Sequence, residues 1–324
     1  MPELVKPVRV AIIWDFDLTM SEEYQQMPLV RHNFERLKTK HNMETPDDYF
    51  KEWDKRRKCG FADGLNYMGQ MLDDFRDGCI KDLSADALRN FGAQIRLSPG
   101  MPEYLQRVKE RWAHKGVNVH HFIVTAGIKP IVEGSPVSIF VDDIYAGAYA
   151  ERDGKPFEIM SVPQAFQKIE ALIQIAKGDR LKRDIKMPYG QYAFSYRNMV
   201  ILGDGFSDRP PMGYGRGHGA TCVCVYKADD WTEYERAKGM IDWAEWILQR
   251  DYSPGSSTEN NMDTIIRRIV ERTCDFPPKL LQDYRNNRIT HQPTLKHVEM
   301  HLAGCNECTG YIPMNHVQPI PRMK

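Results

Sequence analysis

Residues 12–20, IIWDFDLTM, decide how the rest of the chain is read. Three apolar residues run straight into Asp15 and, after one Phe, into Asp17. From Val8 onward the segment is short, β-branched and apolar, the texture of a strand buried on both faces of a parallel sheet. A carboxylate at the end of such a strand loses hydration at a cost unless a partner compensates. The stretch therefore demands a positive charge beside Asp15 and Asp17.

Other segments share its texture. Residues 121–124 precede Thr125, residues 199–202 precede Gly203 and Asp204, and residues 220–226 form a fourth candidate strand. Open α/β sheets bind ligands at the carboxyl ends of their strands, so one site would collect Asp15, Thr125 and Asp204. Between the first two strands the pattern is helical over residues 22–41, 47–58, 64–75 and 84–96. That exceeds what a crossover needs. We read residues 21–97 as an inserted helical domain that returns to the sheet layer at residues 98–100 and continues in a crossover helix over 101–114. After Tyr226, residues 229–250 carry Trp231, Trp243 and Trp246 on a helical pattern, and 253–261 reads as a loop or linker by its turn residues. The expected fold is α/β: a three-layer, Rossmann-like parallel sheet built from residues 1–20 and 98–226, with the helical insertion and a helical carboxyl-terminal extension over 227–324.

The 324 residues suffice for a sizeable core, and 44 basic against 44 acidic residues remove any global electrostatic case for nucleic acid or an anionic membrane. No run approaches the roughly 20 apolar residues of a membrane helix, and the amino terminus lacks the apolar segment of a signal peptide, so a cytoplasmic chain is expected. Seven cysteines, an odd number, point to thiols and metal ligands rather than a disulfide framework.

A second acidic cluster lies in Gly203-Asp204-Gly205-Phe206-Ser207-Asp208, where glycines favour a tight turn at a strand end. Two acidic loops facing each other suit a hard cation such as Mg²⁺, which takes few protein carboxylates and keeps water or phosphate oxygens in its shell. Taken in order, WDFDLTM (14–20), FIVTAG (122–127), a downstream lysine and ILGDGFSD (201–208) resemble the four motifs of the haloacid dehalogenase superfamily, in particular its Mg²⁺-dependent phosphatases with an inserted helical cap. The resemblance implies that Asp15 attacks phosphorus, that Asp17 serves as general acid and then general base, and that Thr125 donates to the phosphate. It implies a phosphate-facing lysine, for which Lys168 in SVPQAFQKIEAL is chosen over Lys129 and Lys155. It also implies Mg²⁺ held by Asp15, the Asp17 carbonyl and Asp204, with Asp208 bound directly or through water. The carboxylate at position 17 favours phosphate chemistry, since the dehalogenases have none there. A large cap implies a small phosphorylated substrate. Trp53, Arg56, Arg57, Tyr67 and Met68 could reach the site from the cap, but aromatic and Met residues at helical spacing read first as packing.

The carboxyl-terminal segment carries a separate pattern. In HLAGCNEC (301–308), His301 lies one helical turn before Cys305, and Cys308 completes a CxxC. Residues 262–310 resemble the zinc-finger domain of zinc-binding anti-sigma factors. The resemblance implies structural Zn²⁺ on Cys274, His301, Cys305 and Cys308, with His297 and His291 in reserve, in a unit for assembly or partner contact. Redox pairing of Cys305 and Cys308 is the alternative use. Cys222 and Cys224, alternating in a strand, read as core residues. No dense Lys/Arg stripe accompanies the cysteines, which argues against DNA reading. Two functions are thus expected in order: a Mg²⁺-dependent phosphatase, or a regulatory protein whose core senses a phosphorylated ligand while the zinc unit holds a partner protein or a second copy.

Overall fold

The computed structural model describes residues 8–60, 63–162, 164–178 and 191–272, with a few isolated positions beyond them. β1 spans Val8–Trp14 and is followed by five helices: α1 (Met27–His32), α2 (Phe34–His41), α3 (Tyr49–Lys58), α4 (Asp63–Arg76) and α5 (Ala85–Gly92). The chain continues through α6 (Glu103–Ala113), β2 (Val117–Ile128), α7 (Lys129–Gly134), β3 (Asp143–Arg152), β4 (Lys155–Ser161) and α8 (Ala165–Lys177). It closes with β5 (Met199–Gly203), α9 (Arg209–Gly217), β6 (Thr221–Tyr226), α10 (Trp231–Lys238), β7 (Trp246–Gln249) and α11 (Ser257–Val270).

The sheet has 7 strands in the order β4-β3-β2-β1-β5-β6-β7, with β1 at its centre. Every pairing is parallel except β3 with β4. Strand periodicity divides the core in two, because successive side chains point to opposite faces. Val10, Ile12 and Trp14 of β1 join one apolar layer, and Ala11 and Ile13 join the other. Helices α6 and α11 cover the first face through Leu105, Val108, Ile265 and Ile266, and α8 and α9 cover the second through Leu172, Ile175 and Met212. The result is the expected three-layer α/β arrangement. Cys222 and Cys224 are fully buried in the second layer. Between β1 and α6, Trp14 donates its indole N–H to His121 Nδ1 at 3.1 Å, and His121 Nε2 faces the Leu105 carbonyl at 3.1 Å. Burial pushes His121 down to about 3, so it stays neutral and acts as a fixed polar link.

The helical insertion leaves and rejoins the sheet layer side by side: Ser21 bridges Leu97, and the Ser98 amide donates to the Met20 carbonyl at 2.9 Å. Inside it, the fully buried Asp74 collects Lys40 at 2.7 Å, His41 at 2.9 Å, the Tyr49 hydroxyl at 2.5 Å and Gln70 at 3.1 Å. Burial raises the carboxyl's pKa, but these donors outweigh it and hold Asp74 below its ordinary value.

Several expectations are corrected. The run 22–41 is interrupted at Asn33, which divides α1 from α2, and the helix expected over 84–96 ends at Gly92, where a Cβ would meet the Ile131 carbonyl oxygen at 2.0 Å. The β3–β4 hairpin between 143 and 161 adds two strands to those expected; its turn is Asp153-Gly154, both at positive φ (53° and 71°), a frequent hairpin signal. The helical reading of 229–250 fails after Lys238: Trp246 opens β7, which pairs with β6 and extends the sheet beyond residue 226. Within the supposed linker, Ser256 caps α11 by accepting from the Glu259 amide at 3.1 Å. The spacing Ser-x-x-Glu signals such a helix start. Glu259 and Asp263 then pair with Arg107 and Arg111 of α6, docking α11 against the core side of the sheet. Cys274, His301, Cys305, Cys308, His297 and His291 lie outside the described residues. Among the described residues, no helix is long and apolar enough to cross a membrane.

Candidate active site

The centre of a parallel sheet is where neighbouring strands end together, and here β1, β2 and β5 deliver the polar residues. Parallel pairing carries past Trp14, since the Asp15 amide donates to the Leu202 carbonyl at 2.9 Å. The backbone then turns sharply, with Leu18 at φ 54°, a left-handed conformation that a leucine adopts only when its surroundings hold it. In β2 the ladder with β3 loses register between Val124 and Ile128, and Thr125 sits in that bulge, its hydroxyl accepting from the Gly127 amide at 3.1 Å. After β5, Asp204 and the short 3-10 turn Phe206–Asp208 lead into α9. Gly203 permits this close return, because a Cβ there would lie 2.3 Å from an Asp208 carboxylate oxygen.

Asp15, Asp204 and Asp208 converge with one carboxylate oxygen from each lying within 4.8 Å of the others. Lys168, in the first turn of α8, reaches between two of them: its ammonium lies 2.7 Å from Asp15 Oδ1 and 2.7 Å from Asp208 Oδ1, and the side chain is 2% exposed. Lys129 instead pairs with Glu133 on its own helix at 3.7 Å, and Lys155 is exposed on the hairpin. Burial pushes Asp15 up to about 6; Lys168 pulls it down and Asp208 adds to the rise. Asp204 is driven well above the carboxylate range by burial and by the charges of Asp208 and Asp15, against the opposing pull of Arg236. Buried carboxylates crowded in this way are a donor set that a hard divalent cation satisfies.

Asp17 is held separately. The Gln25 backbone donates to Asp17 Oδ1 at 2.8 Å, and the Gln25 side-chain amide donates to Oδ2 at 3.3 Å while accepting from the Ile128 amide at 2.8 Å. Burial, then the charge of Asp15, pushes Asp17 up to about 7 despite these bonds. Gln25 thus ties the Asp17 loop to the bulged end of β2, and Gly127 makes room for it: a Cβ at that position would fall 1.4 Å from Gln25 Nε2. Gly127→Ala is expected to push Gln25 aside and free Asp17, so that any reaction using the Asp17 proton slows roughly 100-fold, the low end of a general acid/base contribution. The overlap involves a side-chain end, so a melting curve close to wild type should accompany the kinetic loss.

Three contributors have no signal in the sequence patterns: Gln25, Arg236 and Arg250. Arg236, on α10, pairs with Asp204 at 2.8 Å and lies 3.9 Å from Glu233. Arg250, just past β7 and 3% exposed, pairs with Glu233 at 3.3 Å and donates to the Leu18 carbonyl at 2.5 Å. Tyr252 adds a hydroxyl bond to the Thr19 carbonyl at 3.0 Å. The segment after residue 226 therefore builds the back of the Asp15–Asp17 loop and one side of Asp204. Such outer contacts fix the orientation of the carboxylates they support.

No family model matches this chain. A curated protein of Borreliella burgdorferi, described as uncharacterized, is 23% identical over 162 residues, 44% of this chain and 57% of that protein, so the match spans little more than half of the relative. Among solved structures, a HAD-family hydrolase of Salmonella enterica serovar Typhi superposes with a TM-score of 0.47 at 17% identity, over 68% of this chain and 63% of the other. A probable phosphoserine phosphatase of Vibrio cholerae gives a TM-score of 0.48 at 14% identity, over 84% of this chain and 70% of the other.

Proposed function

We propose that the chain is a phosphomonoester hydrolase of the haloacid dehalogenase type, working through an aspartyl-phosphate on Asp15 and dependent on Mg²⁺. The observation that carries this reading is Lys168 buried between Asp15 and Asp208 at 2.7 Å from each, with Asp204 alongside, at the carboxyl ends of adjoining parallel strands. An ammonium so placed offsets the repulsion between an attacking carboxylate and a phosphate dianion.

In the first half-reaction an Asp15 carboxylate oxygen forms a bond to phosphorus as the ester P–O bond breaks, and Asp17 gives its proton to the departing oxygen. In the second, Asp17 takes a proton from water, the hydroxide oxygen bonds to phosphorus, and the Asp15–phosphorus link breaks to release inorganic phosphate. Thr125 and Lys168 hold the phosphoryl oxygens throughout. Asp15, the Asp17 carbonyl and Asp204, with Asp208 directly or through water, would hold Mg²⁺, which when bound supplies positive charge against those oxygens. Residues 21–97 would serve as the cap, and the substrate would be a small phosphorylated molecule enclosed beneath it. Zinc on Cys274, His301, Cys305 and Cys308, and a partner-binding role for that unit, rest on the sequence pattern alone.

The test is phosphate release from a broad panel of phosphomonoesters by the purified protein with Mg²⁺, after chelation, and after Mg²⁺ is restored. Turnover is expected to vanish on chelation and to return on restoration. Silence across the panel from folded, Mg²⁺-supplied protein would reject the hydrolase reading and leave the regulatory, ligand-sensing one.

A further inference from the structure

Four aromatic rings form a row of tilted and T-shaped contacts through the helical insertion, and both ends of the row are attached to the site. Tyr24 lies 4.8 Å from Phe50, Phe50 lies 4.4 Å from Trp53 and nearly perpendicular to it, and Trp53 lies 5.3 Å from Tyr67. At one end, Tyr24 immediately precedes Gln25, whose backbone and side chain hold Asp17. At the other, the Tyr67 hydroxyl donates at 2.5 Å to the carbonyl of Ala126, the neighbour of Thr125. The row thus connects the acid/base side of the site to its phosphate side.

Interior packing accounts for part of this row but not all of it. Tyr67 is buried, whereas Tyr24 keeps 40% of its surface exposed, within reach of the charges of Asp204, Asp17 and Asp15. The Trp53 indole N–H is buried without an acceptor among the described residues, although a buried indole ordinarily finds one. Asp17 protonates the leaving oxygen in the proposed reaction, so whatever is attached to that oxygen lies next to Tyr24. The surface it meets is the exposed part of the Tyr24 ring, with the partly buried rings of Phe50 and Trp53 behind it. Arg56, on the helix that carries Phe50 and Trp53, pairs with Asp73 at 2.6 Å, and Arg236, the cation whose charge reaches Tyr24, pairs with Asp204 at 2.8 Å.

We propose that the leaving group carries a planar aromatic ring that stacks on Tyr24 beside the Phe50–Trp53 edge, so that the substrate is a phosphomonoester of a small ring-bearing alcohol or phenol. This rests on the hydrolase reading above. Nucleoside monophosphates and substituted phenyl or pyridine phosphates share the required chemistry, and a substrate panel separates them. Stacking of one ring on an aromatic side chain is worth about 1–3 kcal/mol, or roughly 5- to 150-fold in affinity.

Steady-state kinetics of wild type, Tyr24→Ala and Tyr24→Phe should be compared on a nucleoside 5′-monophosphate, pyridoxal 5′-phosphate, phosphotyrosine, phosphoserine, glycerol 2-phosphate and acetyl phosphate. The best of the three ring phosphates should exceed both aliphatic esters at least 10-fold in kcat/KM. Tyr24→Ala should shrink that ratio at least 5-fold, chiefly through KM for the ring substrate, and Tyr24→Phe should preserve it. An equal preference for aliphatic esters, or a Tyr24→Ala effect uniform across the panel, overturns the ring assignment while acetyl phosphate turnover keeps the hydrolase reading intact. No turnover of any compound, acetyl phosphate included, overturns both.

Discussion

Asp15→Asn is expected to abolish phosphate release while leaving the protein folded. The amide keeps the shape of the carboxylate but cannot form the acyl-phosphate, and removal of a nucleophile costs on the order of 10⁶-fold in turnover where it has been dissected. We expect a fall of at least about 10⁴-fold. Structure should not suffer: three carboxylates crowd within 4.8 Å, and the substitution removes one negative charge while Lys168 keeps its 2.7 Å partner Asp208. The melting temperature of the metal-free protein should therefore hold or rise. Rapid-quench labelling should show phosphate bound covalently to wild type and none to the variant. A variant retaining a few per cent of wild-type turnover would disprove Asp15 as the nucleophile.

Lys168→Met should damage both fold and chemistry. Methionine has similar length and no charge, so packing within α8 is conserved and the change isolates the ammonium. Burial alone would depress the lysine pKa, but Asp15 and Asp208 more than offset that and hold it well above its usual value. The ammonium is therefore charged throughout the neutral range. Its loss leaves two buried carboxylates facing each other, and removing one partner from a buried ion pair destabilises by about 3–5 kcal/mol. Denaturant unfolding at neutral pH should show a loss of this order, reduced to the extent that a carboxyl takes up a proton. Turnover should fall with it, because the attacking carboxylate and the phosphate dianion would meet without a counter-charge between them. Wild-type stability in Lys168→Met would mean that the three-residue contact contributes nothing net, and wild-type turnover would remove Lys168 from the mechanism. Together with Asp15→Asn, this variant separates the two roles: one loses chemistry alone, the other loses chemistry and stability.

The central strands were legible because their signals are local. A short β-branched run that ends in a carboxylate is improbable unless strand end and site coincide, and residues 8–14, 121–124, 199–202 and 220–226 all fall within observed strands or at their margins. Asp15, Asp204 and Asp208 could be named together because the polypeptide repeats the same device, a buried strand followed by an acidic turn, at two adjoining strands. Lys168 was reached through its resemblance to a motif, and the structure brings its side chain to Asp15 and Asp208 while Lys129 and Lys155 stand elsewhere.

Where the reading went astray, two physical reasons recur. Short edge elements carry few residues over which a period can be counted. Trp246–Gln249, four residues long, followed a true helical run and was absorbed into it, and the Asp153-Gly154 turn was the only compact mark of the β3–β4 hairpin. Start signals inside polar stretches are also easily overlooked, as with Ser256 and Glu259 ahead of α11.

The residues supporting the site illustrate a deeper division. Asp17 is held by Gln25, eight positions away, and by nothing that spacing reveals. The Leu18 backbone is braced by Arg250, 232 positions away, and Asp204 by Arg236. By itself the sequence determined which chemistry was possible: carboxylates at the ends of buried strands, a hydroxyl on the neighbouring strand and a lysine opening a helix. Only the tertiary structure decided which cation serves which carboxylate, what pins Asp17, and that the chain beyond residue 226 forms part of the site. The reason is that hydrophobic period and turn chemistry act between near neighbours and leave their mark in residue order. Pairing of buried charges depends on where helices and strands come to rest, and a guanidinium satisfies a carbonyl equally well from any point along the chain.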